Sequence, residues 1–421
     1  MNFLDSEKLK VILLKNGFEQ TESPEIADII IVNSCSVRKH AEDRAIGYLN
    51  SLKPLKRKGK VFCLYGCTAN IYGKEIIEKY PFIDVVCGPN RISESSEILK
   101  DALKGEKIIA TGESENPFVD DVIEVGSEVS ASVSITKGCN NFCSYCVVPF
   151  GRGKLVSRKE EAIINEIKKL VEKGVKEVVL LGQNVNEYGL DIDTDFVSLL
   201  EKIHQIKEIV RIRFLTSHPK DVPESLIFAF RDLPKLCKHF HLPLQSGSDR
   251  ILKLMNRKYT VSHYLGIVEK VRDVCPEISI TSDIMVGFPT ETESNFLQTY
   301  KLIEKVKFDE LFVFKYSPRP KTTAAKLHDD VSKEEKERRH RLIYNLQEKI
   351  TRKINERYID RIVDVLVEKE SYKRKGYFVG KTHTKKTVLF RKEKDVKTGQ
   401  IVKVKIIDAS IHFLSGQIYA T

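Results

Sequence analysis

The strongest constraint on this chain is a group of three cysteines in one short loop. Cys139, Cys143 and Cys146 have Cys-x3-Cys-x2-Cys spacing and directly follow an apolar, strand-like segment. Three thiolates this close in sequence can bind three irons of a [4Fe-4S] cube and leave the fourth iron without a protein ligand. Because a small molecule can chelate an open iron, the spacing predicts a redox-active chemical site.

A structural zinc site is the alternative for the same loop. A structural zinc ion is usually bound by four protein ligands with no open position, and these ligands usually come from two pairs of residues close in sequence. This loop has three cysteines, and the next ones along the chain, Cys237 and Cys275, are isolated. A histidine can supply the fourth ligand, and the candidates are His218, His239 and His241.

The length of 421 residues predicts about three domains of ~150 residues. No apolar run reaches the ~20 residues that a membrane-spanning helix needs, and the first residues do not resemble a signal peptide. The nine cysteines are an odd number and partly clustered, which is typical of metal binding in a reducing compartment rather than of a secreted disulfide framework. We therefore expect a cytoplasmic protein without membrane attachment.

The net charge of +11 is concentrated at the carboxyl-terminal end. Residues 361–421 contain 14 Lys and Arg against 6 Asp and Glu, residues 331–360 contain 9 against 6, and residues 1–330 contain 47 of each sign. Positive charge concentrated on a small module is typical of a surface that binds the phosphate backbone of a nucleic acid. A solvated surface without a partner is the alternative.

Residues 1–110 alternate helical and strand patterns, which predicts a first α/β domain. Asp5 to Lys15 has its apolar residues on one helical face. Three apolar runs predict buried strands of a parallel sheet with crossover helices. These runs are 27–32, 60–65 and 84–86.

A polar stretch at 111–130 predicts a linker, and larger βα units fill residues 131–356. Six strand-like runs predict a complete or partial (β/α) barrel, whose chemistry would lie at the carboxyl ends of its strands. Five short alternating runs in 357–421 predict a small β-barrel. The six barrel runs are 133–136, 177–181, 210–214, 239–242, 278–281 and 311–314.

The run from Cys139 to Arg158, Cys-Asn-Asn-Phe-Cys-Ser-Tyr-Cys-Val-Val-Pro-Phe-Gly-Arg-Gly-Lys-Leu-Val-Ser-Arg, resembles the signature loop of the methylthiotransferases. These are radical S-adenosylmethionine (SAM) enzymes. The resemblance covers the whole chain and implies a methylthiotransferase domain, a radical SAM barrel and a carboxyl-terminal RNA-binding TRAM domain. It also implies that SAM chelates the open iron and is cleaved by one electron to a 5'-deoxyadenosyl radical.

Four further runs are similar to the branch of this family that modifies N(6)-isopentenyladenosine in the tRNA anticodon loop. This implies methylthiolation at C2 of that base, with two SAM molecules and a second, sulfur-carrying cluster. Branches acting on threonylcarbamoyl-adenosine or on a ribosomal protein aspartate are alternatives, and a non-catalytic, metal-stabilised RNA-binding protein is an alternative of another class. The runs are 180–186, 241–248, 254–260 and 316–320.

The resemblance also implies the positions of the cofactors. Cys139, Cys143 and Cys146 would bind the SAM cluster, and a flavodoxin or ferredoxin would supply its electron. No acid–base catalytic residue is assigned. The residues implied at the SAM site are Tyr145, Gly182, Gln183, Gln245, Ser246 and Gly287.

The second cluster is implied at Cys35 and Cys67. The family uses a third cysteine there, in a Gly-Cys-Gln-Met-Asn run, and this chain opens at Met1-Asn2. We expect that ligand upstream of Met1, with Cys63 as the alternative. Isolated cysteines usually pack in cores, and those expected to do so are Cys63, Cys87, Cys237 and Cys275.

Overall fold

The structure is a computed structural model and describes residues 1–114, 117–119 and 129–419. The chain forms two compact units. The first combines Met1–Glu124, Thr136–Ala162 and Ser317–Lys326, and the second combines Val125–Ile135, Ile163–Tyr316 and Leu327–Thr421. Of the predicted linker, 115–116 and 120–128 lie outside the described residues. The domain boundaries drawn from the sequence stay predictions.

Helices and strands alternate in the first 110 residues. They are α1 (Asn2–Lys15), β1 (Ile29–Ser34), α2 (Lys39–Ser51), β2 (Val61–Gly66), α3 (Cys67–Tyr72), α4 (Lys74–Lys79), β3 (Val85–Cys87), α5 (Ser95–Leu103) and β4 (Ile108–Ala110). The strands form a parallel sheet in the order β1-β2-β3-β4. Both faces of β2 are buried in apolar clusters, which explains why its sequence is continuously apolar rather than alternating.

The middle of the chain contains the expected βα units. Its elements are β5 (Ser130–Ser134), β6 (Thr136–Lys137), α6 (Val148–Arg152), β7 (Val156–Ser157), α7 (Glu160–Glu172), β8 (Glu177–Leu181), α8 (Phe196–His204), β9 (Arg211–Phe214), α9 (Glu224–Asp232), β10 (His239–His241), α10 (Asp249–Leu254), α11 (Val261–Val274), β11 (Ser279–Val286), α12 (Glu293–Val306), β12 (Glu310–Lys315) and α13 (Lys333–Glu356). In the second unit, β5, β8 and β9 form one parallel sheet and β10, β11 and β12 another. These six strands correspond to the six predicted runs.

The carboxyl-terminal region is a closed five-stranded barrel. Its strands are β13 (Ile362–Glu370), β14 (Tyr377–Thr382), β15 (Thr387–Arg391), β16 (Ile401–Ala409) and β17 (Leu414–Ile418). They pair in the order β13-β14-β15-β17-β16. Alternate residues point inward to form an apolar core that includes Val365, Phe378, Phe390 and Val404. This confirms the small barrel predicted from the alternating pattern.

A buried arginine joins this barrel to the amino end of β9 within the second unit. The Arg211 guanidinium donates hydrogen bonds to the backbone carbonyls of Lys381 and Asp364. Its side chain is almost fully buried. The barrel is therefore fixed at the end of the strands opposite to the end where βα folds carry their chemistry.

Two lysines of the turn between β14 and β15 strengthen the same contact. Lys386 pairs with Asp309 at 2.9 Å, and Lys385 pairs with Glu310 at 3.6 Å at the start of β12. Both lysines are largely withdrawn from solvent. These two positive charges therefore pair with acidic residues of the same chain, although the sequence suggested that the whole region forms a nucleic-acid-binding surface.

We expect Arg211→Met to destabilise the second unit, because two backbone carbonyls in a buried contact would lose their donor. The free energy of unfolding should fall by about 2–3 kcal/mol, measured by urea denaturation. Arg231→Met is the matched control, since Arg231 is exposed and pairs with its neighbour Asp232. The control should change the free energy by less than about 0.5 kcal/mol, and equal effects would contradict the docking role of Arg211.

Candidate iron–sulfur and SAM site

Two cysteines lie side by side where β1 and β2 end. Ser34 pairs with Gly66 in the last step of the parallel register, and Cys35 and Cys67 are the next residues of the two segments. Parallel strands that pair in register end at the same edge of their sheet. Cys67 is buried at the first position of α3, whereas Cys35 is partly exposed.

Hydroxyl groups connect the two cysteine turns. The Thr68 hydroxyl is 2.7 Å from that of Ser34 and 2.8 Å from that of Ser36. Gly66 has φ +95°, and a Cβ there would be 2.5 Å from the Ser34 carbonyl oxygen. Only glycine lets the chain turn from β2 into α3 so close to the neighbouring strand. The separation of Cys35 and Cys67 is therefore set by local packing.

Arg319 holds the backbone beside Cys35. Its Nη2 donates to the Ser36 carbonyl at 2.6 Å and to Glu42 Oε2 at 2.7 Å. Glu42 also accepts a hydrogen bond from the Tyr72 hydroxyl at 3.0 Å. Burial is the main cause that raises the pKa of Tyr72, and the negative charge of Glu42 is the second. Because the Arg319 and Glu42 side chains are both buried, each compensates the charge of the other.

Arg152 lies beside Cys67 at the sheet edge where β1 and β2 end. Its Nη2 donates to Asp5 Oδ2 at 2.5 Å, and both side chains are buried. Burial raises the pKa of the Cys67 thiol, whereas the nearby Arg152 charge lowers it. A Cβ on Gly151 would be 3.1 Å from Cys67 Cβ, so α6 packs directly on this cysteine. Arg152 Nη1 is buried and has no hydrogen-bond acceptor among the described residues.

The three-cysteine loop begins at a glycine whose position leaves no room for a side chain. Gly138 has φ +76°, and a Cβ there would be 1.8 Å from the Lys154 carbonyl oxygen. The Cys139 N–H donates to the Gly153 carbonyl at 3.3 Å. The loop is therefore closed against the segment that follows α6.

Inside the loop, one backbone hydrogen bond closes the turn from Cys143 to Cys146, and one side-chain amide faces a thiol. The Cys146 N–H donates to the Cys143 carbonyl at 2.9 Å, and the Asn141 side-chain amide lies 3.6 Å from Cys139 Sγ as its donor. All three thiols are partly exposed. Thiolates with N–H donors beside sulfur are the donor set that iron–sulfur clusters use. The residues present therefore fit a [4Fe-4S] cluster with one open iron.

A zinc site and an iron–sulfur site place different geometric demands on the three-cysteine loop. In the described ranges, no three His, Cys, Asp or Glu side chains surround a common metal position. A closed zinc site brings four ligands to one ion. Cysteines of a cube bind different irons and need not converge on one point.

The histidines considered for zinc have other partners in the second unit. His218 Nδ1 accepts from the Lys220 N–H at 3.2 Å, and burial lowers the pKa of His218 to about 2. His239 Nε2 and His241 Nδ1 lie 3.0 and 2.9 Å from the Thr281 hydroxyl. The isolated cysteines are buried in cores, and they are Cys63, Cys87, Cys237 and Cys275.

The predicted SAM contacts of the second unit follow strand ends. Gly182 and Gln183 come directly after β8. Gln245 has φ +71°, and its backbone bonds to Asp283 and Met285 of β11 at 2.8 and 2.9 Å. Its strained backbone is therefore held by the neighbouring strand, a feature that recurs at binding sites.

Two other predicted contacts have structural partners of their own. Ser246 is fully buried, and its hydroxyl accepts from the Ser248 N–H at 3.2 Å. Gly287 has φ +68°, donates its N–H to Glu291 at 2.6 Å, and would collide with Lys336 if it carried a Cβ. Tyr145 belongs to the first unit and is partly exposed. The SAM-contact set stays a prediction.

Arg152 and Arg319 are site residues that were not predicted from the sequence. Both lie in runs that carried the family resemblance, so their positions had a signal. Their partners had no such signal in the sequence, because Arg152 bonds to Asp5, 147 positions away, and Arg319 bonds to Ser36, 283 positions away. No local pattern contains that information.

Three family models match consecutive parts of the chain. "Uncharacterized protein family UPF0004" matches residues 1–88, "Radical SAM superfamily" matches residues 133–303, and "TRAM domain" matches residues 356–419. Among the described residues, no helix has both the length and the apolar character needed to cross a membrane.

Solved structures support the fold. A radical SAM methyltransferase, TsrM from Kitasatospora setae with cobalamin and a [4Fe-4S] cluster bound, is 12% identical with a TM-score of 0.59, covering 76% of this chain and 71% of that one. The same enzyme with tryptophan and a SAM analogue is 13% identical with a TM-score of 0.60, covering 77% and 72%. At this identity the likeness concerns the fold alone.

Relatives named tRNA-2-methylthio-N(6)-dimethylallyladenosine synthase align with nearly the whole chain. The protein of Thermoanaerobacter sp. strain X514 is 43% identical, covering 99% of this chain and 90% of its own. Those of Thermodesulfovibrio yellowstonii and Syntrophotalea carbinolica are 43% and 42% identical, covering 100% and 96% of this chain and 97% and 94% of their own. These findings confirm the predicted family and class of enzyme: the chain belongs to the radical SAM methylthiotransferases, in the family of tRNA-2-methylthio-N(6)-dimethylallyladenosine synthases.

Proposed function

We propose that this protein attaches a methylthio group to C2 of N(6)-isopentenyladenosine beside the anticodon of tRNA. The observation that carries the proposal is the Cys139–Cys146 loop, which follows the first strands of the radical SAM match and is shaped by Gly138. The full-length similarity to synthases named for this product supports the choice of base.

The chemistry explains why a radical enzyme suits this substrate. The C2–H bond of adenine is neither acidic nor polarised, so acid–base catalysis cannot activate it. When bound, the cluster and SAM supply a carbon radical able to remove that hydrogen. Cys139, Cys143 and Cys146 bind three irons of the cluster. The residues proposed beside SAM are Tyr145, Gly182, Gln183, Gln245, Ser246 and Gly287.

We assign a second [4Fe-4S] cluster, which carries the sulfur to be transferred, to Cys35 and Cys67. Their adjacent positions at one sheet edge support this assignment. The buried Arg152 guanidinium beside Cys67 is a second support, because a fixed positive charge fits an anionic sulfur group. The third protein ligand of this cluster is not assigned.

The substrate and partners follow from the same chemistry. An adenosine in the anticodon loop is unpaired, so its extrusion costs less than the flipping of a duplex base. The free thiols and the tRNA substrate suit the reducing cytoplasm. A flavodoxin or ferredoxin is the proposed electron donor.

We propose that the free face of the carboxyl-terminal barrel binds tRNA phosphates. Lys373, Arg374 and Lys375 are exposed between β13 and β14, next to Tyr372, which is 83% exposed. They lie at the opposite end of the β14 hairpin from the docking turn that contains Lys386. Exposed cations beside an exposed aromatic ring suit contact with RNA.

Replacement of Cys139, Cys143 or Cys146 by Ala should abolish product formation, because an iron would lose its ligand. The measurement is mass spectrometry of tRNA nucleosides from a strain that lacks its own synthase and expresses each variant. Cys275→Ala is the control, since Cys275 is an isolated buried thiol, and it should retain product. A colourless, zinc-containing wild-type protein would contradict the proposal.

Gly138→Ala should reduce the iron bound by the three-cysteine loop, because the new Cβ would overlap the Lys154 carbonyl. The matched control is Gly174→Ala, where φ is +95° and no atom lies within 4 Å of the new Cβ. The control suffers only the strain of a left-handed backbone, about 1–2 kcal/mol. Iron per chain and visible absorbance after anaerobic reconstitution are the measurements, and equal iron in both variants would refute the role of Gly138.

Combined substitution of Lys373, Arg374 and Lys375 by Ala should weaken tRNA binding and its dependence on salt. The slope of log affinity against log salt should fall by about one for each tRNA phosphate that the variant no longer binds. Filter binding over a range of salt concentrations measures both quantities.

The control for that experiment removes the same charge from the end of α7 and the turn after it, by substituting Lys168, Lys169 and Lys173, which are also exposed. It should leave the slope near that of the wild type. If the two triple variants give the same slope, the β13–β14 turn is not the tRNA-binding surface.

A further inference from the structure

One short stretch of the first unit has a large positive surplus, although residues 1–330 as a whole are balanced. Residues 37–60 contain 8 Lys and Arg against 2 Asp and Glu, so the rest of residues 1–330 is net acidic. The stretch includes α2 and a 3-10 helix, Lys53–Lys58, that follows α2 after one residue. Cations concentrated on one surface are typical of a site that binds a polyanion.

The two acidic residues of this stretch have partners within the protein. Glu42 is buried and pairs with Arg319 and Lys39. Asp43 pairs with Lys39 at 3.0 Å. The other cations of the stretch are therefore not neutralised by the acidic residues beside them in the sequence.

The exposed face of α2 combines a cation with an aromatic ring and contains no acidic residue. Glu42 and Leu49 are the buried residues of this helix. The residues on the opposite side are spaced three or four positions apart, so they share one face, and Tyr48 is 51% exposed. They are His40, Arg44, Gly47, Tyr48 and Ser51, and all five are exposed.

Three exposed cations are available to a ligand on this surface. They are Arg44 on α2 and Lys53 and Arg57 on the 3-10 helix. In the part of the chain that the structure describes, none of the three forms an ion pair with a carboxylate. The Lys53 amine lies 5.8 Å from the centroid of the Phe82 ring. Guanidinium and ammonium groups without a protein acceptor suit phosphate oxygens.

Gly47 is a second, independent observation on the same face. A glycine inside a helix is less stable than alanine, and protein packing does not require one here. A Cβ at Gly47 would have no atom within 4 Å among the described residues outside its own helix. Glycine is used where a ligand approaches the backbone closely. Its place beside Arg44 and Tyr48 therefore indicates that a ligand lies against α2.

We propose that α2 and the 3-10 helix after it form a second tRNA-binding surface, in addition to the carboxyl-terminal barrel. Arg44, Lys53 and Arg57 bind phosphates, and Tyr48 stacks on an unpaired base. This inference rests on the proposed function, in which tRNA is the substrate. An exposed ring beside cations suits RNA, whereas the centre of a protein–protein interface is depleted of charged residues.

The experiment uses the full-length protein and an unmodified tRNA transcript, with filter binding over a range of salt concentrations. The matched control removes three exposed lysines from α1, α5 and the residue after α5, which pack on the other face of the sheet from α2. Circular dichroism and the melting temperature show that each variant is folded. The test variants are Arg44→Gln with Lys53→Gln and Arg57→Gln, Tyr48→Ala, and Gly47→Gln, and the control is Lys15→Gln with Lys100→Gln and Lys104→Gln.

The triple test variant should lower the slope of log affinity against log salt by about one for each lost phosphate contact, about three in all. Tyr48→Ala should weaken binding about fivefold or more, because a stacked base loses its ring. Gly47→Gln should weaken binding without lowering the melting temperature, since the new side chain blocks the ligand and touches no neighbouring element. The control should keep the slope and affinity of the wild type.

The outcomes that contradict the inference differ from those that contradict the proposed function. If the wild type binds tRNA and the triple test variant has the same slope as the control, the α2 surface does not bind RNA. The inference also fails if tRNA binding is unchanged while 5'-deoxyadenosine formation falls with reduced flavodoxin but not with dithionite, because the surface then binds the electron donor. If the wild type has no salt-dependent affinity for tRNA, the proposed substrate fails as well.

Discussion

The parallel pairing of β1 with β2 is the constraint on which the chemistry of the first unit depends. Its register sets Ser34 against Gly66, and a slip by one residue would separate the two cysteine turns and reverse which faces their side chains take. Apolar clusters on both faces of β2 hold that register. The positions of Cys35 and Cys67 are therefore a consequence of core packing. The hydrogen bonds of the Thr68 hydroxyl make a smaller, additional contribution.

Buried charge at this edge needs an explanation beyond stability. Removing two ions from water costs several kcal/mol per ion, and apolar replacements of a buried pair are often neutral or stabilising. The first unit nevertheless buries Arg152 with Asp5 and Arg319 with Glu42. Both arginines reach the cysteine turns, one beside Cys67 and one through the Ser36 carbonyl. Fixed cations beside the thiolates would offset the negative charge that a sulfur cluster brings into a poorly solvated space.

The sequence predicted what depends on local pattern. Continuous apolar runs identified the buried strands, alternation identified the barrel strands, and cysteine spacing identified the three-thiol loop. β4 was missed because its three residues, Ile108–Ala110, are too short to show a period. Arg152 and Arg319 were not assigned roles because their contacts join distant positions. The exclusion of Ser246 from solvent likewise depends on packing, which a sequence motif does not record.

At the carboxyl-terminal barrel, the charge composition likewise does not show which cations are paired within the protein and which are exposed. The surplus of Lys and Arg is a property of the segment, but the structure divides it between two uses. Lys385 and Lys386 pair with acidic residues at the start of β12 and hold the barrel in place, while Lys373 to Lys375 remain exposed. Since a paired and poorly solvated lysine offers little to a phosphate, the net charge overstates the surface available for RNA. The two lysines that fix the barrel are lost for RNA binding, but they hold the barrel rigidly in place. The remaining cations therefore lose less conformational entropy when they bind a phosphate.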